Sequence, residues 1–185
     1  MAERIANIIL LVEDINQENL LRRYLQLLGD ENRNMRPLMP HGQCSGEQFV
    51  RESYASEVRA IRAQLTRTRV CLIAMIDADA GSIEDLRQQF ERALQDAHEL
   101  PRSPTEPILN LIPKRNVETW ILCLNSAMVD EGSNYHHDLR VNPQSIKTAA
   151  NTLYSWTRPN FVFPNICAPS LHACQPEFRR VPGDE

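Results

Sequence analysis

Apolar residues along this chain fall into two kinds of run, and the alternation between them carries the first structural reading. Asn7 to Val12 is a compact apolar stretch ending on the acidic pair Glu13-Asp14. Val70 to Ile76 is a second, running into Asp77-Ala-Asp79-Ala-Gly-Ser82, and Ile108 to Ile112 is a third, closed by Pro113. Runs this short and this uniformly apolar predict strands buried on both faces. Between them the apolar positions recur at helical spacing. Leu20, Leu21, Tyr24, Leu25 and Leu28 form one stripe, with Gly29 as its stop. Phe49, Val50, Tyr54, Val58, Ile61 and Leu65 form a longer one, and Ile83, Leu86, Phe90 and Leu94 a third. Ser45 and Ser82 stand where N-caps belong, and Asn116 opens a helix through Val117, Trp120, Ile121 and Leu124.

The segment Pro37 to Gly46 reads as loop, with a short strand near Arg36 to Met39, and the three prolines between Leu100 and Pro107 mark a connection. Strands and helices therefore alternate, which predicts an α/β fold: a mostly parallel β-sheet flanked by helices. After about Asn125 the pattern changes to one helix near Pro143 to Tyr154 and a Pro- and Cys-containing tail. The expectation is a domain over residues 1–125 and a mainly helical and irregular C-terminal extension, 126–185, packed on it.

Composition narrows the class. At 185 residues the chain can bury roughly 70% of its extended surface and needs no staples to fold. Hydrophobic residues at 42% and charged residues at 24% are ordinary globular values. No apolar run approaches the roughly 18 residues of a membrane span, and the N-terminus lacks the features of a signal peptide, so a cytoplasmic protein without membrane contact is expected. The five cysteines, Cys44, Cys71, Cys123, Cys167 and Cys174, form no CxxC and read as reduced thiols. Cys167, His172 and Cys174 lack a fourth zinc ligand at a usual spacing. His136-His137 reads as surface, and the GQCSG loop lacks the ending of a P-loop. A formal charge of −4 argues against a passive nucleic-acid binder, but not against an enzyme whose metal ions supply the positive charge.

The chemistry lies at the strand ends. In open α/β sheets, ligands gather outside the carboxyl ends of the strands. Here those ends carry Glu13-Asp14, Asp77-Ala-Asp79 and Lys114-Arg115-Asn116. One such cluster is explained as a helix cap; three ask for more, because a cap needs one acid and not two flanking an alanine. In extended chain Asp77 and Asp79 point to the same side and present two carboxylates to one ion, and like charges so close repel unless a cation joins them. Oxygen donors of this kind suit Mg²⁺ or Mn²⁺.

The layout, with Glu13 ending the first strand (LLVEDINQE) and an Asp-x-Asp ending a later one (LIAMIDADAGS), resembles the TOPRIM domain of topoisomerases, primases and small OLD-family nucleases. The segment LIPKRNVETWILCLN resembles a stretch in small TOPRIM-like proteins of bacterial defence loci, which often accompany an ABC-type ATPase. The resemblance covers roughly residues 5 to 125. It implies a TOPRIM-like fold and a metal-dependent nuclease acting on DNA or RNA, as effector of an anti-phage defence system with an ATPase partner. Carried over by residue, it implies Glu13, Asp77 and Asp79 as ligands to Mg²⁺ or Mn²⁺. Glu18 and Glu118 become candidates for a second ion, and Lys114 for stabilising charge on the phosphoryl group. Glu13 is open to a second role as general base. Asp14 stands where that family usually has glycine, and either crowds the site or adds a ligand.

Two alternatives come from other classes. ILLVEDINQENLLRRYLQLLG resembles the opening of a response-regulator receiver, in which Asp77 would accept a phosphoryl group beside Lys114. The interval from Asp14 to Asp77 is long for a receiver, Asp79 has no role there, and Lys114 follows a proline instead of preceding one. The other is a non-catalytic partner subunit that docks through Trp156, Phe161, Val162 and Phe163.

Overall fold

The structure is a computed structural model that describes residues 7–42, 44–164 and 168–182. Four strands, β1 (Asn7–Leu11), β2 (Met35–Leu38), β3 (Val70–Met75) and β4 (Ile108–Leu111), form one sheet in the order β2-β1-β3-β4. Every pairing is parallel: Ile8 lies beside Met35, Asn7 beside Val70 and Leu72 beside Ile108. The α/β expectation holds, and the short strand anticipated near Arg36 is β2. Pro37 lies within this outer strand, where a missing N–H is tolerated.

The period-two alternation of strand side chains divides the core between the two faces of the sheet. Ile8, Leu10, Cys71, Ile73, Met75, Leu109 and Leu111 point one way. They meet α1 (Ile15–Leu27), α4 (Val117–Leu124) and α5 (Pro143–Trp156). Ile9, Leu11, Val70, Leu72, Ala74 and Ile108 point the other way, onto α2 (Gly46–Arg62) and α3 (Ile83–Asp96). Asp14, Ser45, Ser82, Asn116 and Asn142 each cap the helix that follows with a side-chain oxygen on its first free N–H groups.

All eight residues of α4 are buried, which a helix lying on a sheet does not manage alone. Its outer side is covered by α5, whose Ile146, Ala149, Ala150 and Leu153 join the same core as β1. Two short helices, α6 (Pro169–Ala173) and α7 (Gln175–Phe178), complete this layer. Ser170 on α6 is buried and central to it: its hydroxyl accepts from Trp120 Nε1 at 2.7 Å and from Lys114 N at 3.1 Å, and donates to Glu131 at 2.6 Å. Glu177 on α7 pairs with Arg102 at 2.5 Å and accepts the backbone N–H of Asn110 in β4 at 2.8 Å. Phe163 is buried, whereas Val162 is 80% exposed and Trp156 stacks on Phe161. No helix among the described residues is long and apolar enough to cross a membrane.

Candidate metal centre

Chain order reverses between β1 and β3: β2 lies outward from one and β4 outward from the other. A crevice opens at such a switch point, at the carboxyl ends of the two central strands. Glu13 and Asp14 follow β1 there, and Asp77 follows β3. Asp14 is held as the N-cap of α1, its Oδ1 accepting from Asn16 N at 2.7 Å and Gln17 N at 2.9 Å. Capping turns the first residues of α1 toward the crevice.

Gln17 is wholly buried and ties the two strand ends together. Its Oε1 accepts from Glu13 N and its Nε2 donates to Asp77 Oδ1, each at 2.9 Å. Asp77 is buried, and its proton affinity is pushed well up by burial first, then by the charges of Glu13, Asp14 and Glu118. Glu13 is pushed from 4.5 to about 8, again by burial, with the charges of Asp14, Asp79 and Glu47 adding and the Asp77 N–H opposing. Glu13 Oε1 is buried without a hydrogen-bond partner. Gly46, the first residue of α2, lies so close that a Cβ on it would come within 2.7 Å of Glu13 Cβ.

Glu118, on the first turn of α4, extends the cluster. It is fully buried; Oε1 accepts from Asn16 Nδ2 at 2.8 Å, and Oε2 has no partner. Burial and the Asp14 charge raise its proton affinity, opposed by the Asn16 amide. His136 Nδ1 stands 3.8 Å from Glu118 Oε1. One ligand atom each from Asp14, Glu118 and His136 lie within 4.8 Å of one another.

The remaining predicted residues lie elsewhere around this edge. Asp79 is exposed with φ of 46°, and its N–H bonds to Arg115 O at 3.1 Å. The chain is therefore not extended across Asp77-Ala-Asp79, and the two carboxylates do not share one side; Asp77 points inward and Asp79 to solvent. Asp79 still lies near enough for its charge to act on Glu13. Glu18 is drawn away to Arg22, 2.7 Å distant on the next turn of α1. Lys114 Nζ bonds to Gly81 O beside a shallow depression lined by residues 80–85. Of the cysteine and histidine tail cluster, Cys167 lies outside the described residues, Cys174 is buried, and His172 packs edge-on against Phe163. Gln43 of the GQCSG loop also lies outside them.

No family model matches the chain, and neither a curated protein nor a solved structure matches it.

Chemically, the edge is a set of oxygen donors with too few cations of its own. Among the described residues no lysine or arginine forms an ion pair with Glu13, Asp14, Asp77, Asp79 or Glu118. Buried carboxylates in that state hold protons or hold a metal. Two orphaned carboxylate oxygens and an all-oxygen donor set at Glu13 and Asp77 fit Mg²⁺ or Mn²⁺. Sequence reading missed Gln17 and His136. Gln17 had a signal: it is the polar member of the stripe Gln17, Leu20, Leu21, Tyr24, which faces the core.

Proposed function

We propose that this protein is a divalent-metal-dependent phosphodiesterase acting on nucleic acid, with Glu13 and Asp77 as its central ligands. One observation carries the reading: the buried Asp77 and half-buried Glu13 carboxylates, tied through Gln17 at the switch point of a parallel sheet, have no cationic partner, and Glu13 Oε1 is left without a hydrogen bond. Asp79, exposed to solvent, acts on Glu13 by its charge, and Lys114 follows β4 at the same edge of the sheet. Bound Mg²⁺ or Mn²⁺ would polarise a phosphoryl oxygen and make a water acidic enough to attack it. Gln17 fixes the Asp77 carboxylate, Asn16 fixes Glu118, and Lys114 supplies a positive charge for the phosphoryl oxygens once it leaves Gly81 O. An ABC-type ATPase partner and a role in phage defence belong to this reading through the resemblance alone.

The purified chain, alone and with the product of a neighbouring ATPase gene, is to be tested on plasmid DNA and on tRNA in Mn²⁺ and in EDTA. Cleavage in Mn²⁺ that Asp77→Asn abolishes is the expected result. Cleavage unchanged in Asp77→Asn, or none on either substrate with the ATPase present, rejects it.

A receiver-like phospho-acceptor is the second reading, favoured by one observation: β2-β1-β3-β4 repeats the first four strands of the doubly wound order found in receivers, with Asp77 ending β3. Against it, Asp77 is 7% exposed and already holds the Gln17 amide, so an incoming phosphoryl group finds little access. A labile adduct on Asp77 after incubation with acetyl phosphate and Mg²⁺ would establish this reading over hydrolysis.

A further inference from the structure

Beside the Glu13–Asp77 pair, the edge carries a donor set of different chemistry. Glu118 is fully buried with Oε2 unpartnered, Asp14 has one oxygen left over from capping α1, and His136 brings a ring nitrogen. The three are drawn from distant parts of the chain, and each is fixed by contacts that serve the same point. Asp14 is locked by the N–H groups of Asn16 and Gln17, and Asn16 in turn donates to Glu118 Oε1. Hydrogen bonds of this kind to a ligating carboxylate are how metal sites orient their first ligands.

His136 is aimed by its loop. Asp130 closes the turn onto Gly132 N at 2.9 Å and Ser133 Oγ at 3.0 Å, while Asn134 Oδ1 accepts His136 N at 2.9 Å. The Asn116 side chain, which caps the helix carrying Glu118, also meets Asn134 at 2.7 Å. One residue thus sets the helix that presents the carboxylate and the loop that presents the imidazole. The imidazole is half-exposed, with its Nδ1 3.8 Å from the buried acid.

We infer that Asp14, Glu118 and His136 form a second cation position, adjoining the first and selective for Mn²⁺ over Mg²⁺. This deepens the reading above and rests on that edge being a cation site. Two carboxylates balance the charge of one divalent ion. Mg²⁺ favours oxygen alone and dehydrates reluctantly, whereas an imidazole nitrogen is a ligand to first-row transition ions, the series to which Mn²⁺ belongs. His136 is 52% exposed, so the ion keeps water on that side and exchanges with solvent.

The test is a titration of the full chain with Mn²⁺, read by the electron paramagnetic resonance of free Mn²⁺ and repeated in a large excess of Mg²⁺. Wild type is expected to bind two Mn²⁺, one of which Mg²⁺ fails to displace. His136→Ala, a change on an exposed side chain, should lose that Mg²⁺-resistant ion or weaken it at least ~10-fold, as losses of ligand support do. Asp77→Asn should keep it and lose the other. Undiminished Mg²⁺-resistant binding in His136→Ala overturns the second position while leaving the first intact. No Mn²⁺ bound to wild type overturns both. Loss of the resistant ion in Asp77→Asn, with His136→Ala unaffected, assigns it to Glu13 and Asp77 and also overturns the second position.

Discussion

Glu13 and Asp77, which end different strands, are joined through the single side-chain amide of Gln17, which accepts from the Glu13 N–H and donates to the Asp77 carboxylate at 2.9 Å each. The bond orientation leaves Asp77 able to accept in either protonation state. Replacing Gln17 by Leu removes both bonds and leaves two buried polar groups unsatisfied. A loss of about 1–3 kcal/mol is expected in urea denaturation, together with weaker Mn²⁺ binding. A variant as stable as wild type would show that water replaces the amide there and that Gln17 does not position the acids.

Proton uptake gives the metal-free protein a characteristic pH response. Below 4.5 Glu13 is protonated folded and unfolded alike; from 4.5 to about 8 the unfolded chain releases its proton while the folded one retains it. Stability therefore falls across that window and levels off above about pH 8, by an amount on the order of a few kcal/mol. Asp77, shifted in the same direction, adds to the fall. Urea midpoints measured in EDTA between pH 5 and 9 should show it, and Glu13→Gln should flatten the curve. A midpoint that does not change with pH would mean that the acids are solvated, and one that rises would mean that the fold favours their ionised forms.

Gly46 is needed for space and not for backbone freedom. A Cβ there would approach Glu13 Cβ at 2.7 Å, Cα at 3.0 Å and O at 3.1 Å, and two of those atoms are backbone and cannot swing aside. Gly46→Ala should therefore destabilise by about 1–3 kcal/mol through displacement of α2, although alanine is the better helix former by roughly 1 kcal/mol. Metal affinity should fall with it. Thermal melts with and without Mn²⁺ measure both, and a higher melting temperature would mean that α2 shifts freely.

Much of the fold was legible because local signals agreed with one another. Ser45, Ser82 and Asn116 announce their helices as caps, and the three apolar runs could only be strands buried on both faces. β2 was harder: with four residues and a proline it has the sequence of a loop, and only its pairing with β1 makes it a strand. The site was half legible. Acids at strand ends follow from the α/β pattern, yet Asp79 departs from the extended chain on which a shared Asp-x-Asp face depends, because its N–H turns to Arg115 O. Glu18 and Glu118 each lie in the first turn of a helix, α1 and α4, and look alike in sequence. Arg22 one turn on claims the first, whereas the second meets only an amide and an imidazole. His136 has no spacing relation to Asp14 or Glu118 that a motif could record. Its place depends on a loop folded around Asp130 and anchored at Asn116.

The carboxylate of Glu177 has a consequence that reaches beyond its ion pair with Arg102. By accepting the Asn110 N–H it occupies the hydrogen-bonding face of β4 that a further strand would need, and Pro37 withholds a donor on β2 at the opposite margin. Exposed sheet margins are templates for self-association, and natural proteins blunt them with charge and proline. Both margins are blunted here, one by a side chain delivered from α7 and the other by a ring within the strand. Truncation of the C-terminal helices would therefore uncover a growing edge for aggregation, and a dimer or a partner would be met through helices or through the acidic crevice, not by extending the sheet.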